Sequence, residues 1–206
     1  MHPIYKVNLP RLSEEIEQKL LTVASEYDQF KYNTGTLGQM YYEKQENVEQ
    51  IKQLMDLYGF DHIPQHRSNG FADILQNAVR NHIELPIAGK MYVQVIESKD
   101  SFIHTDGGHR KCSLYYLISD NDSSVTTFYT ATETPFISTV YRPKDVNEYF
   151  SYGMIPHCWH VFNHDEIHSV NNIKGLRVGL IIDMTQQFKD YEQFATFLKN
   201  RGLLDA

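Results

Sequence analysis

Apolar residues recur at helical spacing toward both ends of the chain and at strand spacing between them. Ile16, Leu20, Val23, Ala24 and Tyr27 fall three and four residues apart, the period of one buried helix face. Ser13 precedes them as a cap, and Glu14 and Glu15 bring the charge sign that suits a helix N-terminus. Val48, Ile51, Leu54, Met55 and Tyr58 form a second stripe that Gly59 would stop. A third runs over 71–82, with Ile74, Leu75, Ala78 and Val79 apolar. Together they predict a helical support region over 1–87. Phe188, Tyr191, Phe194 and Phe197 recur in the same way and predict a C-terminal helix within 185–206.

After Pro86 the pattern changes. Runs at 91–96, 112–118, 125–129, 136–141, 159–163 and 178–182 are rich in β-branched and aromatic residues. Polar clusters separate them, among them Asp106-Gly107-Gly108 and the stretch 119–124. Short strands with polar turns and no helices between them predict antiparallel sheets, in a sandwich or a jelly roll. The chain shows no repeat and no linker. It reads as one domain over 1–206 of mainly β class with helices (α+β), the β core spanning 88–184. The length and the Thr, Glu and Pro content of 130–150 suggest a lid over a substrate site.

Composition narrows the function classes. The formal net charge is −7, which argues against a general nucleic-acid binder, because phosphate contacts need surplus Lys and Arg. Cys112 and Cys158 are the two cysteines. They form neither a disulfide framework nor a zinc motif, so free thiols in a reducing compartment are expected. No apolar run approaches the roughly 20 residues that span a bilayer, and residues 1–6 lack a signal-peptide core. A cytoplasmic protein with no membrane partner is the expectation.

The ten histidines are the chemical signal. In an extended chain, residues two apart share a face, so His104 and Asp106 can offer a nitrogen and a carboxylate oxygen to one point. His168, starting a strand after the turn at 163–166, is the candidate third ligand. Two His and one carboxylate on one triangular face leave positions open for a chelating cosubstrate and O₂, the facial triad of non-haem iron(II) oxygenases. Arg177, nine residues on, carries the planar fork that suits a carboxylate and is costly to bury alone. Tyr115 shares one face with Ser113 and Leu117 and offers a hydroxyl. Tyr116 points the other way. Thr105, Asn163 and Ser169 are candidates for bonds to the ligands, and Tyr92, Phe128 and Trp159 for an apolar pocket. His109 offers a competing cluster, His104/Asp106/His109, of hydrolytic type. His157, His160 and His164 read as solvated or satisfied side chains near His168.

His104-Thr105-Asp106, the Cys112-to-Leu117 run with its Tyr115-Tyr116 pair, His168-Ser169-Val170 and Arg177 together resemble the prolyl-hydroxylase branch of the iron(II)/2-oxoglutarate dioxygenases. The resemblance covers about 88–184, with the two histidines 64 positions apart. It implies a double-stranded β-helix (jelly-roll, cupin-like) core buttressed by N-terminal helices. It also implies Fe(II), 2-oxoglutarate and O₂ as cofactors, with ascorbate as reductant in vitro. The activity implied is oxidative decarboxylation of 2-oxoglutarate to succinate and CO₂, coupled to hydroxylation of a small-molecule or peptide substrate. Two departures stand out: 124–128 keeps only the aromatic of a Gly-Gly-x-Leu-x-Phe strand, and Gly179 to Ile182 lacks an aromatic. A metal-binding, non-enzymatic cupin-like module is the other reading of the same fold.

Overall fold

The computed structural model describes residues 2–26, 53, 56–58, 65–69, 71–96, 100–106, 110–119, 124–136 and 139–204. The expected helix at 48–58 therefore falls mostly outside the described residues, as do Tyr27 and His109.

The strands are β1 (Ile4–Val7), β2 (Gln65–Asn69), β3 (Lys90–Ile96), β4 (Ile103–His104), β5 (Cys112–Ser119), β6 (Val125–Ala131), β7 (Val140–Tyr141), β8 (Val146–Tyr152), β9 (Trp159–Asn163), β10 (Ile167–Asn171) and β11 (Arg177–Asp183). They form two antiparallel sheets, a larger one ordered β1-β9-β5-β11-β3-β2 and a smaller one ordered β7-β4-β10-β6-β8. From β3 to β11 the chain crosses between the larger sheet (β3, β5, β9, β11) and the smaller one (β4, β6, β8, β10) at each step except from β6 to β8, which pair with each other as antiparallel neighbours. Repeated crossing with one such hairpin is the double-stranded β-helix, a jelly roll. β1, β2 and β7 extend its edges.

Three helices cover the outer face of the larger sheet: α1 (Glu14–Ser25), α2 (Asp73–Ile83) and α3 (Tyr191–Lys199). Ser13 caps α1 by accepting from the Ile16 amide at 3.3 Å. Asp190 caps α3 by accepting from the Gln193 amide at 2.9 Å. Ile16 and Leu20 of α1, Leu75 and Val79 of α2, and Phe194 and Leu198 of α3 share one core with Val93, Leu114, Tyr116, Val161 and Leu180. Each such fully buried Leu or Val contributes about 1.5–3 kcal/mol. Ile74, which the helical stripe counts as apolar, is 82% exposed. The buried face of α2 follows Leu75, Val79 and Ile83 instead.

Tyr115 and Tyr116 go opposite ways, as alternation requires. Tyr116 reaches outward, where its hydroxyl donates to the buried Glu17 carboxylate of α1. Arg11 and His157 hold that carboxylate as well, at 3.1 and 3.0 Å. Tyr115 points between the sheets with Leu117, Phe128 and Ile181.

The stretch 130–150 is not a lid. Its described residues end β6 and build β7, which pairs with β4, and most of β8, which pairs with β6. A bond from the Thr132 amide to Asp145 O (2.9 Å) and an ion pair of Arg142 with Asp145 close the connection. The expected strand at 136–141 shrinks to β7, because the Phe136 amide turns back to Val140 O at 2.8 Å.

Candidate active site

His104 and His168 are direct cross-strand partners of β4 and β10, so their side chains stand together on the inner face. Their ring centroids lie 4.7 Å apart. Asp106 follows one alternation later, tied to the β9–β10 turn by its amide on His164 O at 3.2 Å. One ligand atom from each of His104, Asp106 and His168 falls within 4.8 Å of the other two.

Each group is held ready to bind a cation. Nδ1 of His104 donates to Phe102 O and Nδ1 of His168 to Glu166 O, both at 2.8 Å. A proton on Nδ1 leaves the Nε2 lone pair free, the usual device that orients a metal-binding imidazole. Burial, reinforced by the neighbouring His104 ring, pushes the His168 pKa well below its ordinary value. Burial alone would raise the Asp106 carboxyl, but Arg110, His164 and His104 outweigh it and hold it well below the usual carboxylate range. The neutral imidazole and the ionised carboxylate are the ligating forms.

Asp106 uses its two oxygens differently. Oδ1 faces His104 Nε2 at 3.6 Å. Oδ2 accepts from Arg110 Nε at 2.8 Å, is also bonded by Arg110 Nη2, and lies 2.6 Å from His164 Nδ1. His164 Nε2 in turn is hydrogen-bonded to Ser113 Oγ at 2.7 Å. Arg110 and His164 thus fix the carboxylate from behind. Neither was singled out as part of the site from the sequence. Arg110 sits four residues beyond Asp106 across a glycine pair, a spacing without a signature, and His164 reaches Asp106 only through the β9–β10 turn.

A cavity with an empty volume of about 380 Å³ opens beside these groups, and Arg177 and Tyr115 line its other end. Arg177 is only 2% exposed. Its guanidinium donates to Ser124 Oγ (3.2 Å), Tyr115 Oη (2.7 Å) and Met154 Sδ (2.8 Å). All three acceptors are neutral, and among the described residues no carboxylate pairs with it. A buried cation so placed is poised for an anion. Tyr115 Oη donates onward to Gln94 Oε1 at 3.0 Å. It reaches Arg177 by crossing over Gly179, where a Cβ would sit 2.3 Å from that hydroxyl. Gly179 is therefore a close-approach glycine, a role the strand pattern gave no sign of.

The remaining candidates divide by face. Tyr92 and Phe128 lie between the sheets in the apolar cluster behind the cavity, with the Phe128 ring 6.1 Å from that of His168. Trp159 belongs to the other face: its ring packs on Tyr116 at 4.8 Å and its Nε1 donates to Pro10 O at 3.0 Å, in the helix-side core. Ser169 lies on the outer face of the smaller sheet, bonded to Tyr129 Oη and donating to Asn171 Oδ1, each at 2.9 Å. Asn163 closes its own turn by accepting from the Asp165 amide at 3.1 Å. Thr105 lies outside the cavity lining, its amide spent on Thr139 O at 3.0 Å. His160 is fully buried behind Tyr115 rather than solvated, and burial together with the Arg177 charge lowers its pKa to about 4.

A jelly roll carrying two histidines and an aspartate on one inner face, with a buried arginine across the cavity, is the class that fold and site define. No protein-family model and no curated protein sequence matches the chain. Among solved structures it is similar to a Pseudomonas putida prolyl-4-hydroxylase, at 12% identity and TM-score 0.43, covering 88% of this chain and 91% of that one. It is also similar to a Trichoplax adhaerens prolyl hydroxylase in complex with a hypoxia inducible factor peptide fragment, at 12% identity and TM-score 0.45, covering 90% and 86%. A 2OG-Fe(II) oxygenase family oxidoreductase from Burkholderia pseudomallei matches at 11% identity and TM-score 0.35, covering 66% and 77%. All three TM-scores lie below 0.5, so the architecture rests on strand order and register. Among the described residues no helix is long and apolar enough to cross a membrane.

Proposed function

We propose that the protein is an iron(II)- and 2-oxoglutarate-dependent hydroxylase acting on a prolyl, other peptidyl or amino-acid substrate. His104, Asp106 and His168 would hold the metal, and Arg177 with Tyr115 would take the far carboxylate of 2-oxoglutarate. Iron(II) bound there would supply the oxidation, with O₂ converting 2-oxoglutarate to succinate and CO₂ while the second substrate gains a hydroxyl. The observation that carries the reading is Arg177, a buried cation with three neutral partners in the same cavity as the metal-type cluster. A metal-binding module without a cosubstrate would have no use for it.

The chain's own residues supply orientation and exclusion of water. Phe102 O and Glu166 O keep both imidazoles aimed with Nε2 forward. Arg110 and His164 hold Asp106 Oδ2, and Oδ1 is turned toward the two imidazoles, the side from which it would bind the metal. Phe128, Phe162 and Ile181 wall the space between the sheets with apolar surface. The deciding experiment incubates the protein with iron(II), ascorbate and labelled 2-oxoglutarate, then adds prolyl peptides and free amino acids. Iron-dependent succinate release, stimulated by one substrate class, supports the proposal. No succinate above a metal-free control would overturn it.

A further inference from the structure

Thr126 on β6 is 1% exposed, and its hydroxyl has no hydrogen-bond partner. Buried polar atoms are paired in the great majority of cases, and an unmade bond in the interior is costly. Valine has the same shape and suits a strand at least as well. A hydroxyl left unpaired at such a position calls for a partner from outside the chain.

Its surroundings say what that partner is. Thr126 lines the cavity that holds Arg177 and Tyr115. Ser124, two residues earlier and on the same side of an extended chain, accepts from Arg177 Nε at 3.2 Å. Thr126 is thus the next inward side chain beside the guanidinium. His160 Nδ1 also has no hydrogen-bond partner, but His160 is not among the cavity-lining residues. Arg177 and a hydroxyl with a proton to give form a donor set, which suits a group of acceptors only. A carboxylate is such a group, and each of its oxygens takes more than one bond.

We infer that Thr126 is a third anchor for the anion, its hydroxyl donating to a carboxylate oxygen that Arg177 also binds. The inference rests on the reading of this cavity as a cosubstrate site. Thr126 touches the bound carboxylate beside Arg177. It has no part in holding the metal.

The test uses the manganese(II)-loaded full chain, with 2-oxoglutarate and succinate as calorimetric probes, and melting temperatures of the metal-free protein. Thr126→Val should weaken 2-oxoglutarate and succinate about tenfold or more, the loss of one hydrogen bond to a charged group. It should leave manganese affinity unchanged and raise the ligand-free melting temperature. Thr126→Ser should bind close to wild type. Thr126→Val binding 2-oxoglutarate within twofold of wild type would overturn the inference. So would a lower ligand-free melting temperature, since the hydroxyl would then have a partner within the protein. A wild-type protein that binds manganese but neither acid would remove the cosubstrate reading itself, and this inference with it.

Discussion

Replacing Gly179 with alanine tests the geometry around Tyr115 and Arg177. The added Cβ would stand 2.3, 2.4 and 2.6 Å from Tyr115 Oη, Cζ and Cε1, about an ångström inside ordinary contact. The Tyr115 ring is 4% exposed and packed among Leu117, Phe162 and Ile181, so it has little room to yield. Overpacking of this kind costs about 1–3 kcal/mol, and alanine recovers about 0.5–1 kcal/mol of that over a strand glycine. A net loss of up to about 2.5 kcal/mol in urea unfolding is expected. In a Tyr115→Ala background the obstacle is gone, and Gly179→Ala should become neutral or stabilising. The double-mutant cycle should therefore show a coupling of at least about 1 kcal/mol. Displacing the ring also breaks the 2.7 Å bond from Arg177 to Tyr115, and 2-oxoglutarate affinity should fall about tenfold. Additive costs in the cycle, or unchanged 2-oxoglutarate affinity, would refute the reasoning.

Three further outcomes follow from the same geometry. His104→Ala and Asp106→Ala should each abolish iron-dependent succinate release and weaken manganese(II) binding by titration; unchanged affinity in either would remove that residue from the centre. Arg177→Ala should raise the 2-oxoglutarate KM strongly while metal affinity is kept, and an unaltered KM would count against its assignment. The buried His160 should make the fold acid-sensitive. Unfolded His takes up its proton near pH 6.5, whereas burial and Arg177 hold the folded His160 neutral to about pH 4. The unfolded state therefore binds more protons as pH falls from 6.5 to 4, and up to about 3 kcal/mol of stability is lost over that window. His160→Gln should flatten this slope in urea titrations at pH 7 and pH 4.5; parallel slopes would show that another group is responsible.

Which elements were legible in the sequence follows from their burial. β5 and β9 are buried on both faces, one face toward the helices and one between the sheets, so their largely apolar runs stand out. β8 was missed because Asn147, Glu148 and Tyr149 are exposed, which gives an edge strand the polarity of a loop. β1 is four residues long and exists as an edge partner of β9, and β4 is a two-residue strand defined by β7 and β10. No local pattern marks either. The convergence of His104, Asp106 and His168 was readable from two-residue spacing and a strand start. Trp159 was misplaced although the alternation that separates Tyr115 from Tyr116 also separates it from His160. Arg110, His164 and Thr126 owe their places to turns and facing strands.

The position of β11 has a consequence for synthesis. This strand, Arg177–Asp183, is the last in the chain, yet it lies between β5 and β3 at the middle of the larger sheet. On the ribosome, β3, β5 and β9 are all made before the strand that joins the two sides begins to appear. Until then β3 and β5 expose unpaired backbone edges to other chains. A nascent chain of this topology is open to edge-to-edge association until β11 arrives, and slowing translation just before residue 177 should raise its tendency to aggregate.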